Sequence, residues 1–568
     1  MGAGQGGAGR RGVVEATLSP RGRSASLQSV TAGRSSRGWA TWAMLALGLL
    51  YAAYFVNRYR GLWTENDTAL FSGVAVQTMR AGTVLFPGQY SHGFGYPGFL
   101  AALGFATSLS PALLNTVVLP YAGVLLLMLV SLVLYRRLLR SQGAGVLAAG
   151  LLLLAPDLMF AVVRGNHEKL NVALLLISFY ALFKGFAAAR RRRGGDLAAW
   201  VVVFYLCTLV NACVNDYFAS TFVLAEAMAM AILWAIDRLV GSRARWSGGA
   251  VARLALVSAT SWLLVWWVML YVFQPAGADF RLLGTAIQRL THLFLSLHAR
   301  SNPFAAVAQQ WAGRTAQIAV AAFRYLLILG SFVVWLWDAV RLVRRRAQRV
   351  PVLERAFLFG VYAGFAVLVA VAVPLDFTGI GAGTNLEVRN FTYFGLVAAP
   401  VLARGVRLLT AAAHRGRARR RTTSWRLAAG AGRVAVAVAC TGLLGISLLK
   451  VTLDPVISNQ WIFYSPAERQ ALAAFWNHAR ASALWTGPDN RLVYVQGTWS
   501  PSNPYDNQIV GYSIASRPQI RNLLISPVVD ANAIAESFPL PYLGGMNQVY
   551  QNGGARILHD APQTIFES

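Results

Sequence analysis

The strongest constraint on this chain is a repeated pattern. Long apolar runs alternate with short clusters of arginine from residue 40 almost to residue 450. An apolar run of about twenty residues matches the hydrocarbon core of a bilayer. Inside that core each backbone N–H and C=O needs a partner within the protein, so helical spans are expected. The chain is 56% hydrophobic over 568 residues, and its mean hydropathy is +0.49. These values predict an all-α polytopic membrane protein with length left over for one small soluble domain.

The net charge of +29 would suit a nucleic-acid binder. Its distribution excludes that class, because no basic domain interleaved with aromatics accompanies it. The arginines instead stand between apolar runs: Arg136, Arg137 and Arg140; Arg190 to Arg193; Arg238, Arg243 and Arg245; Arg341 and Arg344 to Arg346; Arg404 to Arg421. The positive-inside rule places all of them in the cytoplasm. Spans are then expected near 40–56, 112–134, 145–162, 170–186, 197–214, 217–236, 252–273, 316–339, 353–373, 392–411 and 426–449. That makes about eleven crossings, with the N-terminus cytoplasmic and the C-terminal region outside. Tyr96 to Ser108 is apolar but short. Counting it as a crossing would invert every later arginine cluster, so it is expected to lie along the outer surface.

Three regions follow. Residues 1–38 are rich in Gly, Ser and Arg, lack an apolar face, and read as a disordered cytoplasmic tail. Residues 39–450 form the membrane domain, with long external loops at 57–110 and 274–315. Residues 451–568 read as an extracytoplasmic α/β domain. Ser465-Pro466 marks a helix start, Leu492 to Val495 and Asn522 to Ile525 mark strands, and Asn552-Gly553-Gly554 marks a terminal hairpin. Cys207, Cys213 and Cys440 all lie in apolar runs, which points to neither a disulfide framework nor a thiolate metal site.

Acidic residues are scarce, so their positions carry information. Glu65 and Asp67 follow the first span. Glu168 lies in the second external loop beside His167, between Arg164 and Lys169, and Asp216 lies at the third external turn. Carboxylates, His and Arg on one side of a membrane suit transfer of a group carried on a lipid phosphate. A carboxylate takes the proton of an acceptor hydroxyl, and a cation stabilises the departing phosphate. Asp67, His167 and Glu168 are the minimal ligand set for a divalent cation, Mg, Mn or Zn. Two other functions stay open on these residues. One is a transporter or flippase for lipid-linked substrates, although no internal repeat is evident. The other is a non-catalytic membrane scaffold whose external domain binds partners.

Glu65 and Asp67 after the first span, Met79, Gly82, Leu85 and Phe86-Pro87-Gly88, then Tyr90, Gly93 and Tyr96-Pro97, form one stretch. It resembles the first external loop of integral-membrane C-type (GT-C) glycosyltransferases, in particular protein O-mannosyltransferases and bacterial lipid A aminoarabinose transferases. That family carries a second acidic residue in the second loop, often four residues after an Arg, and Arg164 to Glu168 has that spacing. The resemblance implies a polyprenyl-phosphate sugar as donor and an extracytoplasmic glycan, lipid or protein as acceptor, in a bacterial cytoplasmic membrane. It makes Asp67 the general base with Glu65 as the alternative, and lets Glu168 orient the acceptor or hold a metal. Arg164, Lys169 and Arg389 are then candidates for the donor phosphate, and His92, Tyr96 and Asp216 for substrate contacts. The chain departs from the family where Glu65-Asn66-Asp67 replaces a paired Asp-Glu, and where Gly95-Tyr96-Pro97 replaces a Lys-Pro-Pro-like phosphate contact.

Overall fold

The computed structural model describes residues 20–59, 66–85, 92–191, 193–239, 248–274, 314–344, 353–377, 386–418, 441–442, 444–449, 467–468, 470–471, 474, 485–486, 522–525 and 547–559. Among them, six helices are long and apolar enough to cross a membrane: Gly38–Arg58, Pro111–Leu139, Glu168–Ala189, Gly194–Val214, Asp216–Ala235 and Ala252–Val272. The protein is therefore a polytopic, mostly helical membrane protein. Helices also occupy Arg314–Arg344, Leu353–Phe377 and Leu386–Ala418, where three later spans are expected.

In chain order the elements are α1 (Pro20–Tyr59), α2 (Asn66–Ala81), α3 (Gly95–Thr107), α4 (Pro111–Leu139), α5 (Gln142–Leu152), α6 (Pro156–Val163), α7 (Glu168–Arg190), α8 (Gly194–Val214) and α9 (Asp216–Leu239). After them come α10 (Gly248–Trp267), α11 (Arg314–Arg344), α12 (Leu353–Phe377) and α13 (Leu386–Ala418).

Three differences from the sequence reading have physical causes. First, α1 begins at Pro20, inside the region read as a tail. A helix nucleated by an apolar segment propagates cheaply into flanking residues, one hydrogen bond per residue fixed. Second, the first external loop contains the sixteen-residue helix α2. Third, the span expected at 145–162 is broken into α5 and α6, bent by 77°. Pro156 has no N–H to continue the ladder. The three residues before the break turn tightly instead, with Leu153 N–H donating to Gly150 O at 3.1 Å, Leu154 N–H to Leu151 O at 3.1 Å and Ala155 N–H to Leu152 O at 3.0 Å. α3 has thirteen residues and is not among the candidate crossings.

Apolar helices gain little by leaving lipid for one another, so close packing and interhelical hydrogen bonds must hold the bundle. The α9–α12 crossing shows how. Gly360 and Gly364 on α12 are spaced four apart, as are Ala225 and Ala229 on α9. A Cβ built on Gly360 would lie 3.0 Å from Ala229 O, and one on Gly364 would lie 2.4 Å from Ala225 O. Backbone therefore rests on backbone, and the helices run antiparallel. Elsewhere buried hydroxyls tie helices together: Tyr135 donates to Leu396 O at 2.6 Å, and Tyr51 to Ser447 O at 3.1 Å.

One end of the bundle is basic. Asp338 on α11 accepts from Arg355 on α12 at 2.9 Å and pairs with Arg404 on α13 at 2.7 Å. Arg407 donates to Leu139 O at the end of α4 at 2.8 Å, and Arg136 to Thr41 Oγ1 at 2.8 Å.

The C-terminal region contributes a sheet in the order β1 (Trp485–Thr486), β2 (Asn522–Ile525), β4 (Arg556–His559), β3 (Asn547–Gln551). β1 and β2 are parallel and the other pairs antiparallel. The β3–β4 hairpin turns at Asn552-Gly553-Gly554, with Asn552 Oδ1 accepting from Gly554 N at 3.2 Å and Ala555 N at 2.9 Å. The strand expected at Leu492 to Val495 and the external loop expected at 274–315 lie outside the described residues, apart from Gln274 and the first residues of α11.

Gly364→Ala is expected to destabilise the fold by about 1–3 kcal/mol through overpacking. Gly150→Ala, where a Cβ meets nothing within 4 Å, is expected to be neutral or stabilising by about 0.5–1 kcal/mol. Thermal unfolding of both variants in detergent checks the pair.

Candidate active site

The site lies at the end of α4 opposite the arginines. Asn115 and Leu139, at its two ends, are separated by roughly 36 Å of helix rise. α6 ends at Val163, and Arg164, Gly165, Asn166 and His167 turn the chain into α7. Every residue from Arg164 to Lys169 is buried. The local reason is the start of α7: Asn166 Oδ1 accepts from Glu168 N–H at 3.0 Å and so caps the helix.

Lys169 organises this turn. It is 2% exposed, and its Nζ donates to Arg164 O at 2.6 Å, Asn166 O at 3.0 Å and Tyr96 Oη at 3.2 Å. An ammonium has three hydrogens, and all three are used. This gives Lys169 a local task, holding the turn in shape. Tyr96, at the start of α3, passes its own proton to Asn115 Oδ1 at 2.6 Å. Asn115 Nδ2 then reaches Gly165 O at 2.9 Å, Ser72 Oγ at 3.2 Å and Thr68 O at 3.4 Å. One buried network thus joins α2, α3, α4 and the Arg164–Lys169 turn.

The network sets the backbone of the first turn of α2 beside the Arg164–Lys169 turn. Asp67 is the second residue of α2, and its neighbour Thr68 packs on Gly165 so closely that a Cβ there would lie 2.4 Å from Thr68 Oγ1. Arg164 Nε stands 3.5 Å from Glu168 Oε2, with both side chains under a tenth exposed. Arg164 also lies over Phe160, 5.6 Å from the ring centre. Glu65 lies outside the described residues, as do the side chains of Asp67 and Arg389.

His167 is 3% exposed, with Phe71 and Phe218 at ring-centre distances of 5.2 and 5.6 Å. Its Nε2 meets Asn215 Nδ2 at 2.8 Å. Asn215 Oδ1 is already taken by Phe218 N–H at 2.9 Å, so its NH2 faces the imidazole. His167 Nε2 is then an acceptor and the neutral ring carries its hydrogen on Nδ1. A ring held this way offers no free lone pair, so His167 does not fit the metal set expected with Asp67 and Glu168. No group of three or more His, Cys, Asp or Glu placed to hold a metal occurs among the described residues.

The remaining candidates sit at the edges. His92 O accepts from Asp216 N–H at 3.0 Å, which joins the first loop to the third external turn. Asp216 is 1% exposed, and its Oδ1 accepts from Tyr217 N–H at 2.6 Å. Arg389 is in the first turn of α13, one turn before Tyr393, whose ring centre is 5.0 Å from that of Phe218.

Sequence reasoning missed Asn115, Thr68, Ser72 and Asn215. The signal was present in Asn115, a side chain with strong hydrogen-bonding demands inside an apolar run. Buried polar groups of that kind need partners.

Gly165→Ala is expected to push Thr68 away and to lower the unfolding temperature markedly. Adding Thr68→Gly is expected to recover part of the loss, with a coupling of about 1–3 kcal/mol between the two sites. A double-mutant cycle by thermal unfolding measures it.

The sequence matches no family model, and no curated protein matches it in sequence. The structure is similar to a crystal structure of the Archaeoglobus fulgidus oligosaccharyltransferase tethered through a disulfide bond to an acceptor peptide containing the NVT sequon. The TM-score is 0.51 and the identity 12%, over 92% of this chain and 74% of that one. A second structure of that enzyme, in complex with Zn and sulfate, aligns with TM-score 0.48 and 13% identity over 85% of this chain and 68% of that one. The first alignment is a likeness of fold, and the narrower resemblance to O-mannosyltransferases and aminoarabinose transferases rests on the sequence from Glu65 to Asn171. The chain is a polytopic helical membrane protein whose fold is similar to that of the Archaeoglobus fulgidus oligosaccharyltransferase.

Proposed function

We propose that this protein is a membrane glycosyltransferase that moves a sugar from a polyprenyl-phosphate donor to an extracytoplasmic acceptor, with inversion at the anomeric carbon. The observation that carries the reading is the docking of the Asp67-bearing turn of α2 against the buried Arg164–Glu168 pair, through Thr68 and Gly165. The GT-C fold supports it, and so does the first-loop resemblance to O-mannosyltransferases and lipid A aminoarabinose transferases. The acceptor is a cell-envelope glycan, a lipid or a protein, and the membrane is a bacterial cytoplasmic membrane with the C-terminal sheet outside.

In this mechanism Asp67, or Glu65, takes the proton of the acceptor nucleophile. The nucleophile attacks the anomeric carbon from the face opposite the phosphate. The bond from that carbon to the phosphate oxygen breaks, and the electron pair leaves on the lipid phosphate. Arg164 stabilises the charge that develops there, with Arg389 as a second contact. Glu168 holds the guanidinium of Arg164 in place and orients the acceptor. Lys169 and Tyr96 act by position, since their hydrogen bonds shape the turn that carries Arg164. His92 and Asp216 line the acceptor side. His167 acts as a structural ring rather than a metal ligand, because its Nε2 meets the Asn215 amide.

The test uses the purified full-length protein in proteoliposomes with a polyprenyl-phosphate sugar. Asp67→Asn is expected to lower turnover by about a hundredfold or more while the unfolding temperature stays near that of the parent, and Glu168→Gln to lower turnover similarly and the unfolding temperature as well, because buried Arg164 loses its counter-charge. Unchanged turnover in both variants overturns the site. Movement of the lipid-linked sugar across the bilayer with no acceptor modified identifies a transporter instead.

A further inference from the structure

The arginine end of the bundle carries more positive charge than its acids balance, and the mechanism above uses none of it. Arg355 of α12 and Arg404 of α13 share one carboxylate, that of Asp338 on α11. Their Nη2 atoms stand 2.9 and 3.2 Å from the same oxygen, Asp338 Oδ1. Their side chains are 23% and 19% exposed. Arg341, about one turn further along α11, lies over the ring of Trp337 at 4.1 Å. It forms no hydrogen bond or ion pair among the described residues, and its charge acts on Arg404. The next acid, Glu354, faces Arg140 at 4.0 Å. Three guanidinium groups therefore meet one carboxylate, and Nη1 of Arg355 and of Arg404 has no acceptor among the described residues.

An apolar seam leads to this cluster. Leu326, Gly330, Val333, Trp337 and Arg341 recur at steps of three and four residues, so they share one face of α11. Leu326, Val333 and Trp337 are exposed. Gly330 faces α13, since a Cβ on it would lie 3.5 Å from Leu402 Cδ2. The two helices then close: a Cβ on Gly405, next to Arg404, would lie 2.7 Å from Val334 Cγ2. This face is thus the exposed edge of the α11–α13 contact, with guanidinium groups at its end. That end also holds Arg407 and Leu139, at the far end of α4 from Asn115, so the donor phosphate of the proposed reaction is not its ligand.

We propose that this seam seats one anionic phospholipid, with its phosphate held by Arg341 and Arg404 and an acyl chain lying along Leu326, Gly330, Val333 and Trp337. A phosphate offers the acceptors that these guanidinium groups lack, in a geometry the planar guanidinium fork matches. It also brings negative charge that one carboxylate does not supply. A free phosphate would answer the charge and leave the apolar face uncovered. A zwitterionic lipid would carry its own cation to a cluster already rich in them. The positive-inside rule assigns this end to the cytoplasmic leaflet, where basic pockets between helices meet anionic headgroups.

The experiment counts phospholipids retained by the purified full-length protein in native mass spectrometry, comparing phosphatidylglycerol with phosphatidylcholine. It also measures unfolding temperature in detergent with each lipid and with inorganic phosphate. The expected result is one phosphatidylglycerol held in preference to phosphatidylcholine, and a higher unfolding temperature with phosphatidylglycerol alone. Arg341→Gln is expected to unfold like the parent in the absence of lipid and to weaken phosphatidylglycerol binding about fivefold. Arg140→Gln, which removes an arginine 65% exposed at the same end, is expected to leave that binding unchanged. Equal retention of the two lipids by the parent protein overturns the proposal whether or not a variant folds. Phosphatidylglycerol binding that Arg341→Gln leaves unchanged, or that Arg140→Gln weakens as much, overturns it too. Equal stabilisation by inorganic phosphate identifies a free-anion site and also overturns it.

Discussion

The end of the bundle opposite its arginine cluster depends on one buried ammonium group. Lys169 satisfies the carbonyl oxygens of Arg164 and Asn166, which no helix ladder can reach because the chain is turning there. Arg164 O also accepts from Asn166 N–H at 2.9 Å, so the oxygen that depends on the ammonium alone is that of Asn166, and leaving it unpaired in this buried turn would cost about 1–3 kcal/mol. The same ammonium meets Tyr96 and, through it, Asn115, Gly165 and Thr68. The positions of Arg164, of Glu168 and of the α2 turn that bears Asp67 all follow from this arrangement.

The rest of the bundle supplies rigidity by another route. Lipid chains are as apolar as leucine, so the helices are held by contact distance rather than by escape from water. Small residues at the α9–α12 crossing let the backbones touch, and the aromatic series Tyr96, Phe71, His167, Phe218 and Tyr393 carries packing across the end that holds Lys169. His167 belongs to that series and to the Asn215 hydrogen bond. Its chemistry is therefore that of a structural ring, although its place between two charged residues reads as a ligand position.

Much of the architecture was legible in the sequence, because hydrophobic runs and arginine clusters obey strong rules of solvation. The Arg164–Glu168 spacing was legible through the family resemblance, and the two groups are adjacent in the structure although the chain between them turns rather than forming a helix. The Asn552-Gly553-Gly554 hairpin announced itself through turn chemistry. The broken α5–α6 segment was missed although Pro156 marks it, since hydropathy averages over a proline. α2 lies in a segment whose polar and aromatic content reads as a loop, and its sixteen residues are too few to register as a crossing. The engagement of Lys169 could not be read at all: its partners are carbonyl oxygens of its own turn and a tyrosine seventy-three residues away.

The length of α4 has one more consequence. Its 29 residues rise about 43 Å, well beyond the roughly 30 Å of a hydrocarbon core. Counting about twenty residues back from Arg136, an inner-edge marker, reaches Thr116, beside Asn115 and within the widened π-helical turn Leu114–Val118. The α4 end of the site is thereby set at the depth of lipid headgroups. A phosphate fixed to a membrane-buried chain reaches that depth without being lifted out of the bilayer, whereas a freely dissolved sugar phosphate has no such registration. That depth is what a lipid-linked donor of the proposed kind would require.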